Sequence, residues 1–231
     1  MEMMAEKKEN QEKSEGRNAL LVSGGTADRS FVTDFMTNRR YDLILAVDGG
    51  LKLCHDAGIL PTHLVGDFDT VETPLLEQYA ALPGMQVIRH NPEKDATDTE
   101  LAMDLAIRMQ AERIHILGGT GSRIDHSLAN IYVLLHAHRK GIPCHMYDAY
   151  NRLSLLEGER VISREEQYGT YVSLLPVTET VKGITLEGFK YGLNEAELPI
   201  GSSLGVSNEI AASQARIRCR KGILLVVESK D

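Results

Sequence analysis

The chain has 231 residues, 42% of them hydrophobic, which is enough for one or two domains with substantial cores. Its net charge of −8 argues against a nucleic-acid-binding surface, and no basic cluster indicates an anionic membrane as partner. The cysteines Cys54, Cys144 and Cys219 lack the spacing of a metal site, and we interpret them as reduced thiols of a cytoplasmic protein.

The first 17 residues form a polar, charged arm without the apolar segment that a secretory signal requires. Further along the chain, apolar runs such as Leu43–Val47 are far too short to cross a bilayer. We therefore expect residues 1–17 to be disordered, and we expect no membrane partner.

From residue 18 to residue 150, short apolar runs alternate with helical segments. The runs are almost continuously apolar, which is typical of parallel strands that are covered on both faces. These candidate strands are residues 19–23, 43–47, 63–65, 86–90, 113–117 and 144–147. One helix is predicted after the capping sequence at residues 97–100, and another ends at Gly141. The pattern predicts a doubly wound α/β domain with a mostly parallel sheet.

From residue 151 to residue 231, helical periodicity fades and strand-like segments follow one another closely. These segments are residues 153–156, 171–176, 183–187, 202–206, 215–219 and 223–228. The turn at residues 220–222 joins the last two segments and predicts a hairpin. We expect a small antiparallel β domain here.

Acidic side chains follow three successive strands of the first domain. They are Asp48, Asp67, Asp69, Asp95 and Asp98. Ligands of open α/β sheets bind beyond the carboxyl ends of the strands, so these side chains should meet in one crevice. Two carboxylates about 4 Å apart repel by about 4 kcal/mol at an effective dielectric of about 20, and a bound Mg²⁺ would offset that repulsion. Any one of them could instead cap a helix or form a turn.

A glycine-rich turn at residues 118–121 follows the fifth strand and precedes a helix. Its backbone N–H groups could bind phosphate, and Arg123 adds a cation. The turn is neither a Walker A loop nor a dinucleotide fingerprint, and a turn without a ligand is the alternative. Asp125 could cap the helix, or Asp125 or Asn130 could reach a ribose or base. We interpret His126 as a neutral hydrogen-bonding residue, because the helix dipole disfavours its imidazolium form.

The second half of the chain contains one polar and one aromatic stretch that could belong to a site. Ser207, Asn208 and Glu209 form a polar triplet, which by itself indicates a turn rather than a site. Residues 188–192, which include Tyr191, offer aromatic surface, although most such side chains belong to a core.

In their order along the chain, these motifs resemble those of bacterial thiamine pyrophosphokinases. The motifs are residues 48–50, 66–69, 95–100, 118–126 with Asn130, and 207–209. The resemblance implies transfer of the diphosphate group of ATP to the hydroxyl of thiamine, which gives thiamine diphosphate and AMP. It also implies Mg²⁺ as cofactor, an α/β nucleotide domain, a C-terminal β-sandwich that binds thiamine, and a homodimer with its active site between subunits.

The resemblance also implies roles for individual residues. Asp67, Asp69 and Asp98 match the Mg²⁺ ligands, with Asp48 and Asp95 as additional ligands, and Asp67, Asp69, Asp98 and Arg123 form the catalytic set. The ATP-binding residues would be Asp48, Gly49, Asp95, Thr97, Gly119, Gly121, Arg123, Asp125, His126 and Asn130. The thiamine-binding residues would be Ser207, Asn208 and Tyr191. The chain contains no tryptophan, so either a Tyr or Phe such as Tyr191 would pack on the thiamine ring, or aliphatic side chains would hold it.

Two other functions are compatible with parts of the sequence. Residues 67–71 resemble the nucleophile motif of haloacid dehalogenase phosphatases, in which Asp67 would form an aspartyl phosphate. That motif normally follows the first strand of its domain, whereas two strands precede it here. The second alternative is a module that senses nucleotides without catalysis, and it would bind ATP without turnover.

Overall fold

The computed structural model describes residues 16–90 and 95–231. The predicted polar arm therefore lies outside the described residues, apart from Gly16 and Arg17. Arg17 Nη1 donates a hydrogen bond of 2.7 Å to the carbonyl oxygen of Met109, and the first strand starts at the next residue.

Strands and helices alternate through the first half of the chain. The strands are β1 (Asn18–Val22), β2 (Leu43–Val47), β3 (His63–Gly66), β4 (Gln86–Arg89), β5 (Arg113–Leu117) and β6 (Cys144–Tyr147). The helices are α1 (Arg29–Thr37), α2 (Gly50–Ala57), α3 (Thr73–Ala80), α4 (Asp98–Arg108) and α5 (Ile124–Arg139). All six predicted strands lie within one residue of the observed ones.

Helices cover both faces of the parallel sheet, as the continuous apolar runs predict. On one face, Phe35 of α1 and Leu51 of α2 pack in a core with Leu20 of β1. On the other face, Met103 of α4 and Leu134 of α5 pack against the same strands in a second core. Full burial of such a side chain contributes about 1.5–3 kcal/mol, so these two layers stabilise the sheet strongly. The doubly wound α/β fold is confirmed.

The order of the parallel strands is β4-β3-β2-β1-β5-β6. β1 pairs with β2 on one side and with β5 on the other, so the direction of winding reverses there. In doubly wound sheets, the loops on either side of such a switch point diverge and leave a crevice at the carboxyl ends of the strands. The loops after β1, β2 and β5 border this crevice.

The second half of the chain consists of strands. They are β7 (Asn151–Leu156), β8 (Glu159–Ser163), β9 (Tyr171–Pro176), β10 (Thr180–Glu187), β11 (Leu193–Pro199), β12 (Asn208–Glu209), β13 (Gln214–Arg218) and β14 (Leu224–Ser229). β7 pairs with β6 in antiparallel fashion, and β14, β9 and β12 extend the same sheet to ten strands. The predicted domain boundary at residue 150 thus falls in a turn inside one continuous sheet.

The remaining strands form a second sheet with the order β11-β10-β13-β8. It packs on the antiparallel part of the large sheet. Val172, Leu174 and Val226 of the large sheet share a buried cluster with Ile184 and Ile217 of the small one. The C-terminal half is therefore an antiparallel β-sandwich, as the resemblance implies.

The predicted C-terminal hairpin is wrong. β13 pairs with β10 and β8, whereas β14 pairs with β7 and β9 in the other sheet. The turn at residues 220–222 carries the chain from one layer of the sandwich to the other. Turn residues indicate where the chain reverses, but they do not specify which strand becomes the partner.

The strand predicted at residues 202–206 is also absent. Local turn bonds form instead, since Ser202 N donates to the Pro199 carbonyl and Val206 N to the Ser203 carbonyl. The strand of this region is β12, two residues further on. Conversely, the sequence did not predict β8 and β11. Both are edge strands rich in charged residues, and such residues on an edge hinder pairing with other chains.

Candidate active site

Two glycine-containing loops meet at the switch point. Gly25 N donates to the Gly118 carbonyl at 2.9 Å, and Thr26 N donates to the Thr120 carbonyl at 2.8 Å. A Cβ atom on Gly25 would lie 2.2 Å from the Thr120 oxygen, so only glycine permits this approach. The loop after β1 therefore belongs to the site, although the sequence analysis assigned it no role.

Between these loops lies a cleft of about 570 Å³. Predicted site residues that line it are Asp48, Gly49, Thr97, Asp98, Gly119, Gly121, Arg123, His126 and Asn130. Lining residues that the sequence analysis missed include Ser23, Gly24, Gly25, Thr26, Lys52, Thr70 and Ser127. The glycine pair directly after β1 is a signal that could have revealed part of this second group. The cleft brings together loops that are far apart in the sequence, as the sheet topology predicts.

Three carboxylates form a compact group beside the cleft. Asp48, Asp67 and Asp69 each offer an oxygen, and these three oxygens lie within 4.8 Å of one another. The pKa of Asp69 is raised, chiefly by the negative charge of Asp67 and further by desolvation and by the charges of Asp48 and Asp98. This shift records the mutual repulsion of the group, which a bound cation would relieve.

Asp48 shows how the group fits a cation. The residue has a left-handed backbone with φ of 46°, and its Oδ2 accepts a hydrogen bond of 2.7 Å from the Thr70 hydroxyl. Its Oδ1 is buried and has no hydrogen-bond partner among the described residues. A buried acceptor without a partner costs about 1–3 kcal/mol. An oxygen-seeking divalent cation such as Mg²⁺ would satisfy this atom, so the carboxylates present suit the ion.

The loop after β3 holds the other two carboxylates in place. Phe68 lies between them, is only 5% exposed and has φ of 63°, so its ring anchors the turn in the core. Asp69 N donates to Asp67 Oδ1 at 3.2 Å, which closes the turn. A left-handed conformation in a bulky residue costs about 1–3 kcal/mol, and such strain is concentrated at functional sites.

The start of α4 supplies the fourth carboxylate. Thr97 caps the helix, because its hydroxyl oxygen accepts a hydrogen bond from Glu100 N at 3.2 Å. Asp98 is the first helical residue and lines the cleft, and its charge contributes to the raised pKa of Asp69. Asp95 is exposed and lies outside both the cleft lining and the group of three carboxylates.

The glycine-rich loop after β5 is held by the first turns of α5. Asn130 Nδ2 donates to the Gly119 carbonyl at 2.8 Å, and Gly121 N donates to Ser127 Oγ at 3.1 Å. The hypothesis that Asp125 caps α5 is wrong, because Arg123 occupies the N-cap position and no side chain caps the helix. Asp125 instead accepts a hydrogen bond of 2.6 Å from Arg123 Nη2 at the surface.

The predicted thiamine-binding residues also meet, but elsewhere. Asn208 Oδ1 accepts from Tyr191 N at 3.1 Å, and Asn208 Nδ2 donates to the Tyr191 carbonyl at 2.7 Å. Ser207 N donates to the Ser173 hydroxyl at 2.9 Å. β12 is six positions from β1 in the strand order. At about 4.8 Å per strand, β12 lies about 29 Å across the sheet from β1, whose following loop lines the cleft.

Within the described part of the chain, no helix is long and apolar enough to cross a membrane.

The phosphatase alternative is not favoured, because Asp67 follows the third strand of the sheet rather than the first. The group around it also contains two further carboxylates, which fits metal binding better than a lone nucleophile.

Comparisons with known proteins agree with this geometry. A family model described as the catalytic domain of thiamin pyrophosphokinase matches residues 36–146, and one described as its vitamin B1 binding domain matches residues 159–224. The thiamine pyrophosphokinase of Bacillus subtilis is 37% identical over 91% of this chain and 98% of its own length.

Solved structures give the same result. The crystal structure of the Bacillus subtilis thiamine pyrophosphokinase has a TM-score of 0.82 at 33% identity and covers 93% of this chain and 100% of that one. The Geobacillus thermodenitrificans structure has a TM-score of 0.79 at 32% identity, with coverage of 93% and 98%. The order of motifs, the cleft and these matches over nearly the whole chain agree: the chain belongs to the thiamine pyrophosphokinase family.

Proposed function

We propose that this chain transfers the diphosphate group of ATP to the hydroxyl of thiamine and releases AMP. The observation that carries the proposal is the meeting of the carboxylate group, with its unpartnered Asp48 oxygen, and a glycine-lined cleft at one sheet edge. A divalent cation and a polyphosphate are the ligands that together suit such a site. Membership in the family supports thiamine as the acceptor.

Asp48, Asp67 and Asp69 would hold Mg²⁺, and the charge of Asp98, which already acts on Asp69, makes Asp98 a further proposed ligand. When bound, such an ion would supply positive charge that offsets the negative charge of the phosphates. Asp95 stays a predicted ligand. The loops at residues 24–26 and 118–121 would bind the nucleotide through backbone N–H groups, which leaves the phosphates fixed for in-line attack.

Arg123 is the cation best placed to bind the transferred phosphates. It is exposed, and its pair with Asp125 is a solvent-screened surface ion pair, so it can turn into the cleft at low cost. Asp98 is our candidate to accept the proton of the thiamine hydroxyl. His126 lines the cleft and would serve as a hydrogen-bonding contact to the nucleotide.

We further propose that the thiamine half of each site comes from a second copy of the chain. The spacing of about 29 Å across the sheet between β12 and β1 supports this, because it places the two halves on distant parts of one chain. Exposed apolar side chains flank both halves. Ile124, Leu128 and Tyr132 are exposed at one-turn intervals on α5, and Leu204 is 62% exposed near Ser207. A homodimer would bury such surfaces.

The cytoplasmic location stays a proposal as well. It is supported by Cys54, Cys144 and Cys219, which are all free and buried, as expected for a protein in a reducing compartment.

Product identification tests the activity. With Mg²⁺ and ATP, the protein should form AMP only when thiamine is present, and thiamine diphosphate should appear in equal amount. Chromatography of the nucleotides and of the thiamine esters measures both products. Phosphate release without thiamine would support the phosphatase instead, and ATP binding without any product would support the sensor.

Lys52→Ala should raise KM for ATP about tenfold and leave KM for thiamine unchanged. Lys52 and Arg123 are the permanently charged cations among the described lining residues, and a hydrogen bond to a charged phosphate contributes about 1.5–3 kcal/mol. Lys52 Nζ lies 3.2 Å from Asp56 Oδ2 in an exposed pair. Asp56→Asn is the matched control and should not raise KM for ATP, since it only frees the lysine. Equal KM values for Lys52→Ala and the wild type would contradict the assignment.

A further inference from the structure

The turn between β6 and β7 contains an aspartate with two separate tasks. Asp148 Oδ1 accepts hydrogen bonds from Tyr150 N at 2.8 Å and Asn151 N at 2.7 Å, which is how an aspartate closes a turn. Asp148 Oδ2 accepts a hydrogen bond of 2.9 Å from the hydroxyl of Thr120. Asn151 Nδ2 also donates to Oδ2 at 3.2 Å within the turn, whereas the bond from Thr120 comes from a loop 28 residues earlier in the chain.

Thr120 lies in the middle of the glycine-rich loop that lines the cleft. Its carbonyl accepts a hydrogen bond from Thr26 N, so its backbone is joined to the loop after β1. On its other side, the side-chain bond to Asp148 fixes it to the β6–β7 turn. The neighbouring Gly119 packs so tightly that a Cβ atom there would lie 2.7 Å from Met146 Sδ on β6. The loop is thus held between β1 and the end of β6.

Hydrogen bonds also connect Asp148 to the β-sandwich. The hydroxyl of Tyr168 donates a hydrogen bond to the Asp148 carbonyl, and burial raises the pKa of this tyrosine to about 12, so it remains a donor at neutral pH. Tyr168 N donates to Glu228 Oε2 at 3.0 Å, and Glu228 is 2% exposed and paired with Arg152. A hydrogen-bonded chain therefore runs from β14 through Tyr168 and Asp148 to the glycine-rich loop.

We propose that Asp148 is a positioning residue for the nucleotide. By holding the Thr120 hydroxyl, it sets the conformation in which the Gly119–Gly121 backbone meets the phosphates, and the β-sandwich thereby helps to shape the nucleotide cleft. The inference rests on the proposed function only in that the cleft binds ATP. A preformed loop binds more tightly than one that must be ordered on binding.

Thr120→Val removes the hydrogen bond between Thr120 and Asp148 without changing the residues of the β6–β7 turn. Valine has nearly the shape of threonine but no hydroxyl, and Asp148 Oδ1 keeps its turn bonds. The dissociation constant for ATP with Mg²⁺, measured by calorimetry, should rise about tenfold, as expected for losing a hydrogen bond to a charged group. KM for ATP should rise in parallel, whereas kcat and KM for thiamine should change by less than about twofold, since only ground-state nucleotide binding is affected.

Thr120→Ser is the matched control, because it keeps the hydroxyl and should bind ATP like the wild type. Tyr168→Phe tests the other end of the chain of bonds and should weaken ATP binding in the same direction, with KM for thiamine unchanged. If Thr120→Val does not fold, Asp148→Asn replaces it, since the amide oxygen can still close the turn while the charge facing Thr120 is lost.

Two results would overturn the inference. One is unchanged ATP binding in Thr120→Val, and the other is an equal loss in Thr120→Ser, which would assign the effect to packing of the methyl group. A wild-type protein that binds ATP but forms no AMP with thiamine would refute the proposed function and leave this inference standing. A wild-type protein that binds no ATP would refute both.

Discussion

Asp67→Asn should lower thiamine-dependent AMP formation by about 10²–10³-fold without disturbing the fold. The amide has nearly the shape of the carboxylate, but it removes one of the three charges that meet within 4.8 Å. Removing one preorganised charge from an active site typically costs this much in rate. Asp98→Asn should behave similarly because its charge reaches the same group. The measurement is the initial rate of AMP formation, with circular dichroism to establish the fold.

The effect of Mg²⁺ on Tm is a second measurement on Asp67→Asn. The negative charge of Asp67 is the main cause of the raised pKa of Asp69, and both carboxylates belong to the group that would hold the ion. The rise in Tm that Mg²⁺ produces in the wild type should therefore shrink in the variant. Asp34→Asn, an exposed change on α1, is the control and should alter neither rate nor Tm. Near-normal turnover in both Asp67→Asn and Asp98→Asn would remove the basis of the metal assignment.

Two inactive variants should restore activity when they share one dimer. Asp67→Asn damages the proposed metal site beside the cleft, and Asn208→Ala removes both hydrogen bonds that place Tyr191. If the proposed dimer shares its sites between chains, one of the two sites in a mixed dimer would combine an intact metal site with an intact thiamine half. Heterodimers purified through two different affinity tags should therefore show about half of the wild-type rate.

A loss of activity in the heterodimer would contradict a site that is shared between two chains. If each chain held a complete site of its own, every site in the mixed dimer would carry one defect, and the heterodimer would be as inactive as either parent.

Because Asn208 is buried, Asn208→Ala can also lower stability. Tyr191→Ala is the second variant, since Tyr191 is 61% exposed and the hydrogen bonds of the Asn208 side chain go to the backbone of residue 191, which the change leaves in place.

The sequence predicted the α/β half well for a physical reason. Strands such as β5 are almost continuously apolar because helices cover both of their faces, and few other structures need such a pattern. The meeting of Asp48, Asp67 and Asp69 followed from topology, since parallel strands end at one edge. The unpartnered Asp48 Oδ1 and the left-handed φ of Phe68 could not be predicted, because both depend on coordinates.

The sandwich was harder to predict. β8 and β11 carry charged residues on edges, so their hydrophobic alternation is weak, and the turn before β14 does not reveal that the chain changes sheets. No pattern in the sequence indicates that Lys52 lines the cleft. A lysine on a helix looks the same in the sequence whether it faces a binding site or only solvent. The bond between Thr120 and Asp148 joins two loops whose proximity only the fold establishes.

The continuous ten-stranded sheet limits how this protein can be divided or recombined. A fragment that stopped at residue 150 would leave the backbone amides and carbonyls of β6 along an open edge, where they could recruit foreign strands and precipitate. A chimera that took only its C-terminal half from a relative would need to match the β6–β7 register, in which His145 pairs with Ser154. Neither half can therefore be treated as a separable module.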